Sequence, residues 1–286
     1  MPETALSLAG KAARHLTENG IENGRLDAEL MLAEVLGISR LQVYTQFDRP
    51  IDEQQLERYR SLVRRRLKRE PLQYILGHTG FRKLDLRVDR RALIPRPETE
   101  ILVEHVLRWL GRRGAAAVVL DLGTGSGAIA LSLAQEARVH VVATDAAPEA
   151  LALAAENAQR LGLAERIEFR AGALWQALEP AATFDAIVSN PPYVADSEAA
   201  ALMPEVRDWE PAQALFAGSD GLSVLRAIVS GAAAFLKPGG LLALEVGATQ
   251  RAIVRDEMRS AGYTNIRIEK DLAGRERAVL AEVRKG

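Results

Sequence analysis

From Ala117 onward, short apolar runs alternate with amphipathic helical stretches, and that alternation leaves few folds open. The runs are 117–121, 139–144, 166–170, 184–189 and 240–246, with two more at 264–269 and 277–283. A short apolar run bounded by turn residues suits a strand covered on both faces. The helical stretches between them supply the crossovers that parallel strands need. The expectation is an α/β fold with a mostly parallel, doubly wound, seven-stranded sheet of Rossmann-like type.

In such sheets ligands bind beyond the carboxyl ends of the strands. The run Phe184 to Ser189 ends in Asn190-Pro191-Pro192-Tyr193. Asn190 offers a carboxamide oxygen. The two prolines hold φ near −65° and have no N–H of their own, so the Pro191 carbonyl can serve as a second acceptor. Tyr193 offers a flat face. Two acceptors and a ring suit a planar NH2 group, either a carboxamide or the exocyclic amine of a base. The same tetrapeptide also reads as a turn that merely ends a strand.

The run at 117–121 leads into Asp121-Leu122-Gly123-Thr124-Gly125-Ser126-Gly127 and then a helix from Ala128 to Glu136. Glycines let a backbone bend tightly and a ligand approach closely. The spacing lacks the longer gap of the dinucleotide fingerprint and the lysine of a phosphate loop, so nothing is set up for a pyrophosphate. Asp145 closes the run at 139–144. An acid there can accept both ribose hydroxyls of an adenosine, or can cap the helix starting near Pro148.

Residues 4 to 76 read as helical. One helix ends at Asn19-Gly20, another runs from Asp27 to Leu36 and stops at Gly37, and Asp52 caps a third that runs to about Arg69. The third carries Arg58, Arg60, Arg64, Arg65, Arg66, Lys68 and Arg69. Two readings stand: a solvated face paired with Glu53, Glu57 and Glu70, or a surface for an anionic partner. Residues 79 to 89 alternate as a short hairpin or extended linker. Pro95 and Pro97 then stiffen the approach to a helix from Glu98 to about Leu110. The expected domains are 1–76 (helical), 77–97 (hairpin and linker) and 98–286 (the sheet).

Composition excludes several classes. A formal net charge of −1 argues against a whole-chain polyanion binder. With no cysteine there is no thiolate nucleophile, disulfide frame or cysteine–metal site. The four histidines show no ligand spacing, so no metal is expected. Met1-Pro2-Glu3-Thr4 does not begin a signal peptide, and the apolar stretches are too short for a bilayer. These features point to a soluble cytoplasmic protein.

Taken together, the motifs resemble the S-adenosylmethionine-dependent class I methyltransferases, and more narrowly the HemK/PrmC family of protein-(glutamine-N5) methyltransferases that act on peptide chain release factors. The resemblance covers nearly the whole chain. It is carried by Pro71-Leu72-Gln73-Tyr74-Ile75-Leu76-Gly77, by Leu93-Ile94-Pro95-Arg96-Pro97-Glu98-Thr99-Glu100, by the glycine loop, by Ser189 to Tyr193, and by Val206-Arg207-Asp208-Trp209-Glu210-Pro211. It implies S-adenosyl-L-methionine as methyl donor, S-adenosyl-L-homocysteine as product, and a glutamine in a Gly-Gly-Gln segment as acceptor. Asn190, Pro191 and Tyr193 would be catalytic, and with Pro192 they would hold the substrate. Gly123, Thr124, Gly125, Ser126, Gly127, Asp145, Leu174, Trp175 and Asn190 would hold the cofactor. Glu98 and Thr99 would sit over it, Val206 to Pro211 would help form the substrate cleft, and the helical domain would dock the release factor.

One departure is visible. The family has an acid and then an aromatic after the third strand of the sheet. Here Ala173 stands at the acid position and Trp175 is left as the aromatic wall. The chain is expected to act as a monomer, without membrane or stable nucleic-acid binding. Competing readings are an amino-methyltransferase for a nucleic-acid base, a methyltransferase for a ribosomal-protein glutamine, and a non-enzymatic adaptor.

Overall fold

The structure, a computed structural model, describes residues 4–113, 116–270 and 274–284, so the outermost ends of the expected domains lie outside the described residues. Five helices come first: α1 (Ala5–Glu18), α2 (Gly24–Leu36), α3 (Arg40–Thr45), α4 (Glu53–Leu67) and α5 (Leu72–Leu76). The two-stranded sheet of β1 (His78–Phe81) and β2 (Leu84–Arg87) follows, then α6 (Pro97–Gly111), β3 (Ala117–Leu122), α7 (Ala128–Glu136), β4 (Val139–Asp145), α8 (Pro148–Arg160), β5 (Ile167–Ala171) and β6 (Phe184–Ser189). Next come α9 (Pro204–Arg207), α10 (Ser223–Ala232), β7 (Leu236–Glu245), α11 (Arg251–Ser260), β8 (Thr264–Lys270) and β9 (Glu276–Glu282). No helix among the described residues is long and apolar enough to cross a membrane.

The chain divides into two compact units. Met1–His78 and Met203–Trp209 form one, and Thr79–Leu202 and Glu210–Gly286 form the other. The sequence reading placed 203–209 with the sheet. Buried charge explains the difference, because Glu205 pairs with Arg66 and Arg69 at 2.9 and 2.8 Å.

In the first unit α1, α2 and α4 bury Leu8, Leu16, Met31, Leu32 and Tyr59 against one another. The Tyr59 hydroxyl, inside this core, donates to the Ala28 carbonyl at 3.0 Å, as a buried hydroxyl must find a partner. Asp52 caps α4 through a reciprocal box with Gln55. Ser39 and Gln42 make the same box at α3, which the sequence reading left inside a continuous helical region. Short length and an outward-facing Leu41 (71% exposed) hide α3 from periodicity, while Ser39-x-x-Gln42 was its visible signal.

The basic face of α4 is largely spent on acids. Arg64 meets Glu57, Arg65 meets Glu70, Arg58 meets Glu34, and Arg66 reaches Asp27 at 2.7 Å as well as Glu205. Glu57 and Glu70 are thus paired as the ion-paired reading expected, while tertiary structure adds Asp27, Glu34 and Glu205 and buries Arg66 rather than leaving it on a solvated face.

The second unit is a seven-stranded sheet of order β5-β4-β3-β6-β7-β9-β8. The first five strands are parallel, and β9 runs antiparallel to both β7 and β8. Alternate residues face opposite layers. Val119, Val141, Val188 and Ala243 pack with α6 and α7 on one face, while Leu120, Val142, Ile187 and Leu244 pack with α10 and α11 on the other. α7 is buried from Ala128 to Ala134, which accounts for its nearly all-apolar sequence. The direction of winding reverses around β3, with β4 on one side and β6 on the other. A crevice therefore opens beyond the carboxyl ends of β3 and β6.

Candidate active site

Into that crevice project the turns that follow β3, β4, β5 and β6. They enclose a cavity of about 390 Å³, within the range of roughly 300–1,000 Å³ usual for small-molecule sites.

The glycine turn is held in shape from below. Gly123 and Thr124 both donate to the Thr144 carbonyl, at 2.9 and 2.8 Å, which locks the end of β3 to the end of β4. Asp121 is fully buried, and its Oδ2 accepts from the Thr124 hydroxyl at 2.6 Å and the Ala130 N–H at 3.0 Å. Burial pushes its carboxyl up to about 7 against the pull of those two bonds. Its Oδ1 is buried without a hydrogen-bond partner. At Gly127 φ is +87°, and a Cβ there would stand 2.9 Å from the Leu131 side chain, so only glycine fits.

Asp145 ends β4 and lines the cavity. Its Oδ2 accepts from Gly125 N–H and its Oδ1 from Ala147 N–H, both at 2.9 Å. An ionised carboxylate has about four lone-pair positions. The two N–H bonds therefore leave it acceptor capacity. The capping reading of Asp145 is not met, since Ala147 is the N-cap of α8 and its N–H, ahead of the helix, is what Asp145 binds; the carboxylate instead ties the turns after β3 and β4 together.

Gly123, Thr124, Ser126, Leu174, Asn190, Pro191 and Pro192 also line the cavity, whereas Gly125 and Gly127 sit behind its wall as turn formers. Leu174 has a left-handed backbone, φ +48°, uncommon for a branched apolar residue. It stands with Val224 and Ile228 of α10 as an apolar wall.

Trp175 is not brought to the cavity. Its indole N–H donates to the Ala227 carbonyl at 3.2 Å, and its ring stacks on Phe235 at 5.1 Å. The ring lies where Gly231 has no side chain, since a Cβ there would come within 2.2 Å of the indole nitrogen. The bare glycine on α10 draws the indole into the lower core, and Leu174 takes the wall position instead. Ala173 contributes only backbone and a methyl group there.

Tyr193 is likewise not part of the cavity wall. Its carbonyl accepts from Gln250 Nε2 at 2.8 Å, and the half-buried ring packs on the lower core beside Gly247. Burial pushes its phenol up to about 12. The Val194–Phe216 bridge that follows holds the segment in place beside this packing.

Asn190 is where the site gains a feature the sequence reading missed. Its Nδ2 donates to the Thr99 hydroxyl at 3.0 Å, and Thr99 in turn donates to Glu245 Oε2 at 2.7 Å. Thr99 lies in the first turn of α6, and Glu245 is the last residue of β7. Both are buried. Burial pushes the Glu245 carboxyl up to about 7 despite the Thr99 bond. Thr99 was expected over the cofactor; it lines the cavity but does so as the prop of Asn190. Glu98 turns outward to Arg275 at 2.8 Å. Glu245 did carry a signal, because it is an acid closing an apolar strand, the pattern that marked Asp145. Glu210 accepts from Arg96 at 2.6 and 2.8 Å, and Pro211 lines the cavity, so the end of the 206–211 segment reaches the site.

Two family models match the chain: the PrmC N-terminal domain over residues 8–77, and a methyltransferase domain over 119–209. The release factor glutamine methyltransferase of Geobacter sulfurreducens is 44% identical over 93% of this chain and 92% of its own length. That of Moorella thermoacetica is 42% identical over 95% and 96%. Among solved structures, a methyltransferase from Pyrococcus furiosus superposes with a TM-score of 0.55 at 21% identity, over 72% of this chain and 92% of that one, and so shares the fold. At this level of identity across almost the full length, the chain is a methyltransferase and belongs to the release factor glutamine methyltransferase family.

Proposed function

We propose that the cavity holds S-adenosylmethionine and that the chain transfers its methyl group to the side-chain nitrogen of the glutamine in a release factor's Gly-Gly-Gln segment, leaving S-adenosylhomocysteine. Such a substrate places the enzyme in the cytoplasm. The observation that carries the reading is the Asn190 carboxamide. Its NH2 end is committed to Thr99, so its oxygen is the end left to meet a substrate at the cavity rim.

Bound there, the sulfonium supplies an intrinsically electrophilic methyl group. The chain's residues then have to bind, aim and exclude water. Asp145 takes the ribose hydroxyls, and hydrogen bonds to a charged acceptor contribute roughly 1.5–3 kcal/mol each. Leu174, Val224 and Ile228 give the adenine an apolar face. The side chain expected to accept from the adenine amine is absent at Ala173, which leaves that contact to a backbone carbonyl or a water.

An amide nitrogen is a weak nucleophile because its lone pair is delocalised into the carbonyl. Two acceptors, Asn190 Oδ1 and the Pro191 carbonyl, would hold its two N–H bonds and point the nitrogen at the methyl carbon. Fixed orientation of this kind can supply a large part of a rate enhancement. As the C–N bond forms and the C–S bond breaks, the nitrogen becomes positive. The same two acceptors then bind more strongly than they did to the substrate, which is what accelerates the step. The nitrogen finally loses one proton to water.

The test is transfer of radiolabelled methyl from S-adenosylmethionine to purified release factors and, separately, to bulk DNA and RNA, with the labelled peptide mapped by mass spectrometry. Label on the single glutamine of Gly-Gly-Gln is expected. Label on nucleic acid alone would keep the fold and cofactor and overturn the substrate.

A further inference from the structure

We propose that Glu245 is a positioning residue which, through Thr99, fixes which end of the Asn190 carboxamide faces the cavity, and so makes methyl transfer depend on its charge. The inference rests on the amide-receptor reading of Asn190 given above.

The count of protons on the three groups sets the orientation. A hydroxyl has one proton to give and two lone pairs to offer. An ionised carboxylate only accepts, so Glu245 takes the Thr99 proton. Thr99 then has nothing left but lone pairs, and only the NH2 end of Asn190 can face it. The carboxamide oxygen is thereby turned to the substrate.

Once protonated, Glu245 can donate to Thr99. The hydroxyl proton is then free to go to Asn190 Oδ1, with the carboxamide rotated by half a turn. An NH2 group would now meet the substrate's own NH2, donor against donor, and the receptor would be lost. The rotated and unrotated amides have nearly the same shape, so packing alone does not choose between them. The three groups form a chain whose polarity is set at its buried far end.

The surroundings leave this charge poised. Glu245 is 2% exposed and has no cation in hydrogen-bond contact among the described residues. Burial disfavours its ionised form, and the charge of Glu98 at the start of α6 adds to that; Thr99, Arg277 on β9 and Arg96 before α6 work the other way. Tyr193, which also faces it, stays neutral. Ionisation is therefore expected near pH 7 rather than in the ordinary carboxylate range. Asp121 titrates in the same region, so a pH effect must be assigned by substitution.

The decisive measurement is nuclear magnetic resonance of the Asn190 side-chain NH2 in the full chain without substrate, assigned by its loss in Asn190→Asp. Its shift should titrate with a midpoint near 7 in the native protein and become independent of pH in Glu245→Gln and in Thr99→Val. A flat native signal, or an unchanged titration in Glu245→Gln, would overturn the proposal. The kinetic counterpart is kcat for Gly-Gly-Gln methylation against pH. It should fall below neutrality in the native enzyme, by about tenfold or more. Glu245→Gln should lower kcat at pH 8 by a similar factor, erase the acid limb, and leave the KM for S-adenosylmethionine unchanged. Thr99→Ser, which returns the hydroxyl, should restore the limb that Thr99→Val loses. A parallel loss in Thr99→Ser would mean that Thr99 serves packing alone. If the native chain does not methylate glutamine at all, the substrate reading fails while the amide titration still decides the polarity question.

Discussion

Both units bury carboxylates against cations, and the methyltransferase unit buries two more with no cation in contact among the described residues. In the helical unit Glu29 meets Arg25 and Arg40 at 3.0 and 2.7 Å and accepts from the Tyr44 hydroxyl, while Glu205 meets Arg66 and Arg69. Burial works against both charges, yet these partners hold both carboxyls below the usual range. In the methyltransferase unit Asp121 and Glu245 are buried with hydroxyl and N–H donors instead of guanidinium groups in contact, and both are pushed up to about 7. A carboxylate matched by arginines fixes architecture. One matched only by hydroxyl and N–H donors keeps a proton within reach of neutral pH; here Asp121 braces the glycine turn of the cavity, and Glu245 connects to the cavity through Thr99 and Asn190.

The largest effect that would break this comparison is removal of Arg66. Arg66→Ala strands Asp27 and part of Glu205 as buried charges, and breaking a buried pair in this way costs about 3–5 kcal/mol. The unfolding midpoint of the chain in urea should fall accordingly. An unchanged midpoint would mean that the arginine network contributes no net stability. Asn190→Ala should do the reverse, leaving unfolding and cofactor affinity intact while lowering the methylation rate by about 10²–10³, the usual worth of one oriented group. Loss of S-adenosylmethionine affinity, measured by calorimetry, would instead make Asn190 a cofactor residue.

Next in size is the pH dependence of stability, whose sign differs between the two kinds of carboxylate. For Glu245 the folded-state value lies above the ordinary 4.5. Between those two values the native state holds a proton that the unfolded chain has lost, so stability falls as pH rises from about 4.5 to about 7. The fall is on the order of 3 kcal/mol for this one group. Glu29 and Glu205 are depressed, so their contribution is present at neutral pH and is lost as pH drops below about 4.5. Denaturant titrations from pH 4 to 8 should show the slope between 4.5 and 7 reduced in Glu245→Gln. A slope identical to that of the native chain would remove Glu245 from the account. The smallest effect is Asp145→Ala, expected to weaken S-adenosylmethionine binding by about tenfold to a hundredfold with little change in saturated rate. A purely catalytic defect would count against its ribose role.

The sheet was legible because its signal is local. A strand covered on both faces must be apolar along its length, and the runs at 117–121, 139–144 and 184–189 match β3, β4 and β6 to within a residue at either end. Cap chemistry was equally readable at Asp52 and Gly37. The helix α3 escaped because six residues with an outward Leu41 have almost no periodicity. Trp175 was misplaced because sequence gives its neighbourhood but not the direction of its ring; a missing side chain at Gly231, more than fifty positions away, settles that.

What the sequence determined alone is the alternation of strands and helices in the sheet unit, the turn chemistry of Gly123 to Gly127, and the identity of the groups at the strand ends. Hydrophobic period and backbone freedom are properties of neighbours along the chain, and they can be read there. What only the tertiary structure decided is which group touches which: Thr99 between Asn190 and Glu245, Asp145 between two turns, Glu205 between two arginines. Hydrogen bonds and charge interactions act over a few ångströms in space, however many residues separate the partners, so the polarity of the Asn190 amide had no expression in the chain until folding placed Glu245 behind it.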